Sequence, residues 1–192
     1  MPILPAEPDF YPPDLWNDAP AVPPQGRRWW CLHTKPRQEK AAARDLRARA
    51  VAYFLPQITR EDRTPQGRKT RSVVPLFTSY LFLLGDDRER VEALRGNRLA
   101  NILDVPNQTD LAHDLRQIHQ MIASGLPIVP EPALPVGSHV RIKSGPLAGI
   151  VGKVIKRGKG DQFVAIVQFL GRGAAVDLED WQVEPLSEST PR

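Results

Sequence analysis

Proline decides where this chain can build regular structure. Eight of its twenty prolines lie in residues 1–26, and four more in residues 125–137 (GLPIVPEPALPVG). Proline has no amide hydrogen and holds φ at about −65°, so neither stretch supports a helix interior or a central strand. The 192 residues are thereby divided. An N-terminal segment over 1–27 precedes a body over 28–124. A stiff linker over 125–136 leads to a second body over 137–186 and a polar end at 187–192.

The N-terminal segment is expected to be a disordered or extended tail. Residues 1–26 hold Glu7, Asp9, Asp14 and Asp18 and no Lys or Arg, so they carry −4 in a chain of net +4, and the rest carries +8. Phe10, Tyr11 and Trp16 stand among those acids. Such a segment fits solvation, and it also fits docking on a basic surface, this protein's own included. The basic balance of the remainder permits a nucleic-acid partner without requiring one.

The first body mixes strand and helix signals. Trp29–Thr34 (WWCLHT) is an apolar strand ended by Pro36. Residues 37–50 (RQEKAAARDLRARA) are rich in strong helix formers. Ala42, Leu46 and Ala50 recur at spacing four on one face, and Lys40, Arg44 and Arg47 share another. Residues 51–55 read as a strand, 59–71 as a polar loop with five cations, and 73–77 and 80–84 as short strands around Thr78-Ser79. A short charged helix over 87–95, a strand over 100–105 and a helix over 108–124 follow. The last keeps Leu111, Leu115, Ile118 and Ile122 at helical spacing. The order β-α-β-β-α-β-α predicts an α+β split βαβ plan with an antiparallel sheet. In the second body, residues 139–143, 149–157, 163–169 and 174–178 are Val- and Ile-rich strands punctuated by glycine, which predicts a small all-β barrel. Gly145 and Gly149 bracket a turn that needs φ > 0, and Trp181 is expected to pack under the barrel's end.

Chemistry is hard to place on this chain. Cys31 is the single cysteine, so there is neither an internal disulfide nor a cysteine zinc site, which suits a reducing cytoplasm. Gly158-Lys159-Gly160 is too short for a phosphate-binding loop, and no GxGxxG occurs. The four histidines lack metal-ligand spacing; His113 and His119, six apart, fall on different faces of a helix. No membrane-spanning run and no signal-peptide layout is present. The expectation is a cytoplasmic protein that is not an enzyme and needs no cofactor or metal.

Two stretches carry a resemblance. The first is Trp29-Trp30-Cys31-Leu32-His33-Thr34-Lys35-Pro36-Arg37-Gln38-Glu39, followed by Pro75-Leu76-Phe77-Thr78-Ser79-Tyr80-Leu81-Phe82. It resembles the N-terminal (NGN) domain of NusG-type transcription factors. The second runs from Val136 to Gly149 (VGSHVRIKSGPLAG), with Gly152 and Gly171-Arg172. It resembles the KOW motif in its NusG form. Together they span roughly residues 28–186 in the family's order.

The resemblance implies an adaptor, monomeric, that rides on RNA polymerase. It implies docking of His33, Tyr80 and Phe82 on the clamp helices of the polymerase β′ subunit, although Tyr80 and Phe82 share one strand face and fit core burial equally well. Arg90 and Glu92 match the region that touches the β-subunit gate loop. Arg37, Lys40, Arg44 and Arg47 are candidates for the non-template DNA strand, or a solvated face balanced by Glu39 and Asp45. In the KOW domain, Leu147, Ile150, Phe169, Leu170 and Arg172 match the surface that takes either the termination factor Rho or a small-subunit ribosomal protein; Leu170 stands where relatives often have Phe.

The turn His33–Glu39 looks closer to specialised antiterminators of the RfaH type than to a general factor acting in Rho-dependent termination. A ribosome-associated KOW protein is the rival of another class. The β-branched residues and glycines of 149–169 predict an all-β second domain rather than the helical hairpin of one specialised branch.

Overall fold

The computed structural model describes residues 7–17, 26–63, 65–131, 138–157, 160–177 and 183–186. Trp181, residues 132–136 of the expected linker and the 187–192 end lie outside them. The chain forms two compact units, Met1–Ala112 and His113–Arg192. This division falls inside a helix rather than at 124/125. Helix α3 (Gln108–Ala123) contributes everything from His113 onward to the second unit. An apolar 3–4 spacing fixes a helix but not the unit against which its face packs.

The first unit is a five-stranded antiparallel sheet in the order β1-β3-β6-β2-β7. Its strands are β1 (Phe10–Tyr11), β2 (Arg28–Thr34), β3 (Ala52–Phe54), β6 (Tyr80–Gly85) and β7 (Leu99–Leu103). A separate ribbon pairs β4 (Gln57–Arg63) with β5 (Lys69–Pro75). That ribbon replaces the polar loop expected over 59–71. It has no apolar face to betray it: β5 runs exposed from Lys69 to Val73.

Period-2 alternation gives the main sheet two faces. On one, Trp30, Leu32, Tyr53, Leu81 and Leu83 pack with Ala42, Ala43 and Leu46 of helix α1 (Glu39–Ala48). The other face has rows that follow from the register. His33 sits opposite Tyr80 and Asn101; Cys31 opposite Phe82 and Leu103, with Phe82 opposite Phe54 and Phe54 opposite Phe10.

The helices are terminated by local chemistry. Helix α2 (Asp87–Leu94) has a full capping box: Asp86 Oδ1 accepts from the Glu89 amide at 2.8 Å while Glu89 Oε2 accepts from the Asp86 amide at 2.8 Å. Asn107 Oδ1 accepts from the Asp110 amide at the start of α3. One residue on, the Gln108 side chain accepts from Trp29 N and donates to Trp29 O, fixing the helix start to β2.

The expectation of a solvated tail fails over residues 7–17. Phe10–Tyr11 pairs with β3, Glu7 and Leu15 are buried, and Trp16 stacks on Trp29 at 6.0 Å and meets Phe54 edge-on at 5.0 Å. Edge strands tolerate proline because one side of their backbone is unpaired. Its aromatics fill a gap that the sheet leaves open.

The second unit has a six-stranded antiparallel sheet in the order β13-β9-β10-β11-β12-β8. The strands are β8 (Val129–Glu131), β9 (Ser138–Ile142), β10 (Val151–Arg157), β11 (Gly160–Val167), β12 (Arg172–Asp177) and β13 (Val183–Pro185). The expected closed barrel is, among the described residues, an open sheet. Its end strands β13 and β8 do not pair, and β8 comes from the stretch expected to be linker.

Residues 151–157 and 160–167 are strand, as their β-branched composition predicts. Gly145 and Gly149 have φ of 87° and 89°, as the turn requires. Gly152 is needed for space instead: a Cβ there would lie 2.3 Å from the Val164 carbonyl oxygen. No helix among the described residues is long and apolar enough to cross a membrane.

Candidate docking surfaces

The sheet's free face has an open end. His33 and Tyr80 stack there with ring centroids 5.2 Å apart and planes inclined by 27°, both half-buried, beside an exposed Asn101. Their backbone is fixed from several sides. Thr34 N donates to Ser79 O at 2.9 Å, Tyr80 N to Phe77 O at 3.0 Å, and Ser79 N to the buried Glu39 carboxylate at 2.7 Å. Ser79 takes φ 67°, the left-handed region, and aims Tyr80 back into the strand. Across the turn, Lys35 Nζ donates to Asn97 Oδ1 and Arg98 to Gln38 Oε1. Paired strand ends presenting two half-exposed aromatics lose little entropy when a partner covers them.

Phe82 is not part of that surface. It is fully buried and meets Phe77 edge-on at 6.2 Å. It lies one row along the strand from Tyr80, on the same face. Cys31, in Phe82's row, is likewise buried, and burial pushes its thiol up to about 12. It is a packing residue.

The four α1 cations are placed unequally. Arg37 is exposed with φ 61°. Lys40 donates to the Val73 carbonyl on β5. Arg44 Nε lies 3.2 Å from Glu7 Oε2, and an Arg47 guanidinium nitrogen 3.2 Å from Glu7 Oε1. Two members of the expected DNA-contacting stripe are thus paired within the chain, through an acid from the segment expected to be solvated. Glu39 and Asp45, the balancing acids foreseen for a solvated face, point elsewhere: Glu39 to Ser79 and Asp45 to Arg98.

On α2, Arg90 pairs with Asp87 and lies over the Trp30 ring at 4.9 Å, while Glu92 pairs with Arg95 and Arg49. Both are half-buried and engaged. The exposed apolar residues of this helix are Val91 and Leu94.

In the second unit, Leu147 and Ile150 are buried and serve the core, so neither offers a surface. Phe169, Leu170 and Arg172 are half-buried around Gly171, which has φ 62°. The loops that carry them are tied to α3. Asp114 Oδ2 accepts from the Gln168 amide at 2.9 Å, and Gln117 Oε1 from the Val151 amide at 2.7 Å. Both side chains are buried. Glu7, Glu39, Asp114 and Gln117 all escaped sequence reasoning. The one available signal was Asp114 and Gln117 three apart on a helix, sharing a face.

The family model of the transcription termination factor nusG matches residues 27–122. The chain belongs to the NusG family. As a NusG-family chain it is a transcription elongation factor. Among solved structures, Thermotoga maritima NusG, from a study of its domain interaction, is similar at 18% identity and a TM-score of 0.48, over 84% of this chain and 98% of that one. A chain of the MjSpt4:Spt5 complex is similar at 16% identity and a TM-score of 0.29, over 85% and 99%. No curated protein sequence matches. The NusG match begins at residue 27, so the strap over residues 7–17 lies outside it.

Proposed function

We propose that this protein binds RNA polymerase through the open end of its first sheet and reduces pausing or termination. The observation that carries this is the stacked His33–Tyr80 pair, half-exposed at the ends of β2 and β6 beside a turn held by Glu39, with buried Phe82 in the next row of the same face. An aromatic pair held this way is a typical binding hot spot. The partner that the family resemblance supplies is the clamp-helix pair of the polymerase β′ subunit. Bridging the clamp stabilises the closed, elongating state by differential binding alone, so the protein acts as an adaptor with no bond chemistry.

The 169–172 turn is the proposed contact for the second partner, Rho or a small-subunit ribosomal protein. Phe169, Leu170 and Arg172 supply its surface, while Leu147 and Ile150 are buried and take no part in it. Arg90 and Glu92 are engaged within the first unit, and the gate-loop contact of the β subunit is assigned to the exposed flank of α2 beside them. The His33–Glu39 turn favours a dedicated antiterminator over a general factor. The protein works in the cytoplasm as a monomer under this reading.

Transcription through a pause site with purified polymerase tests it. Saturating protein is expected to shorten the pause, and the H33A/Y80A double variant to leave it unchanged while melting at a similar temperature. Equal pausing with and without the wild-type protein would sink the reading.

A further inference from the structure

The N-terminal strap carries a second consequence. We propose that the α1 cations Lys40, Arg44 and Arg47, which the family resemblance offers to a single strand of nucleic acid, are covered in the free protein by an intramolecular stand-in: Glu7 of the strap, with Asp9 beside it. This rests on the transcription-factor reading for the presence of a strand, but not for the geometry.

Glu7 is the decisive group. Its side chain is 1% exposed, an unusual fate for a carboxylate near a chain end. Both oxygens are used: Oε2 toward Arg44 Nε at 3.2 Å, Oε1 toward Arg47 at 3.2 Å, and Tyr53 Oη donates to Oε1 at 3.3 Å. The Tyr53 hydroxyl stays a donor at any working pH, because burial and then the Glu7 charge push its pKa up. Two guanidiniums and a phenol therefore converge on one point, with donors only. That is a receptor for an oxyanion, and a phosphodiester offers the same acceptors with the same charge.

Asp9 continues the pattern. It lies two residues on, and its Oδ1 accepts from Gln57 Nε2 at 2.8 Å. Its carboxyl is raised by burial, against the pull of that hydrogen bond and of Lys40's charge. The strap thus brings two acids to the cationic side of α1, with Glu7 in direct contact with Arg44 and Arg47.

The occupant is displaceable. Its strand pairs over only two residues, Phe10–Tyr11. Beside that pairing, Leu55 N donates to Asp9 O, Gln57 Nε2 to Glu7 O and Asp9 Oδ1, and Tyr53 Oη to Pro8 O. Such short pairing holds weakly by itself. Arg44 and Arg47 remain 38% and 41% exposed beneath it, so an incoming strand meets cationic surface before the strap has left. Exchange of one anion for another keeps the arginines paired throughout, so neither state leaves a bare buried charge.

The test is fluorescence anisotropy of a labelled 20-nucleotide oligothymidine with the full chain, over a range of salt concentrations. E7Q/D9N is expected to bind roughly tenfold more tightly than wild type. Its slope of log affinity against log salt should steepen by about 0.7 for each phosphate newly neutralised. Adding R44A/R47A should remove the gain. In wild type, oligothymidine should alter the tryptophan emission, because Trp16 leaves its stack on Trp29.

Equal affinity and equal slope for wild type and E7Q/D9N, with R44A/R47A weaker than both, overturns the stand-in while leaving α1 as a nucleic-acid face. Equal binding by all of them overturns both statements. Polymerase retention by the same variants is read separately, and its loss would instead break the transcription-factor reading. Should E7Q/D9N melt lower than wild type, E7Q alone, nearly isosteric, is expected to keep about half of the gain in log affinity; no gain from it overturns the stand-in.

Discussion

The two ends of one sheet face make opposite uses of similar residues. At one end Trp29 and Phe54 are sealed under Trp16 of the strap. At the other, His33 and Tyr80 stack on each other and remain half-exposed. Both ends are aromatic, both are built on β2 and its neighbours, and both are held by backbone hydrogen bonds. What differs is whether the chain supplies its own cover. An aromatic residue on a half-covered sheet is core or docking surface according to the segment laid over it, and strand alternation alone is blind to that.

The contrast can be broken most forcefully at the row between the two ends. Cys31 lies in that row, and a thiol pushed from 9.0 to about 12 is ionised about a thousandfold less at neutral pH. Thiol labelling at pH 8 is expected to be more than about a thousandfold slower in the native protein than in denaturant. Labelling at the unfolded rate would mean that the row is open. The same shift gives a stability trend. The fold favours the neutral thiol, so its contribution is whole below pH 9 and is lost as pH rises toward 12. Tyr53, also raised, acts in the same direction.

Next in size is Phe54→Ala, in the same row and fully buried. Urea unfolding should show a loss of about 3–5 kcal/mol, whereas Tyr80→Ala at the open end should cost about 1 kcal/mol or less. Similar losses for the two would erase the distinction between the ends. Trp16→Ala should cost roughly 1–2 kcal/mol and make the strap cleavable by protease near residue 16, with the sheet intact. A smaller effect is expected at Ser79, whose φ of 67° suits glycine. Ser79→Gly should raise stability by about 0.5–1 kcal/mol and loosen Tyr80, lowering polymerase affinity slightly.

Much of the architecture was legible. The α+β plan, the three helices, the strands of the main sheet from Arg28 onward, and the strands after residue 138 follow from periodicity and composition. Three misses have separate causes. The β4–β5 ribbon (QITREDR, KTRSVVP) carries alternating charge because no face is buried, so it reads as loop. The strap's prolines argue against strand, yet an edge strand of two residues needs few amide donors. Part of the linker became β8, where the end of a sheet has room for one more strand.

At the site, the sequence pattern grouped Tyr80 with Phe82 because period 2 reports the face and not the row. It placed Arg44 and Arg47 on one helix face but could not show that Glu7, some forty residues earlier, had claimed them.

Co-elution of the purified protein with core RNA polymerase tests the central claim most directly. The wild-type chain is expected to co-elute with the enzyme. The H33A/Y80A variant, folded by its melting curve, should be retained at least about tenfold less, as loss of an aromatic hot spot implies. Retention of that variant at the wild-type level, or failure of the wild type to bind at all, would contradict the account.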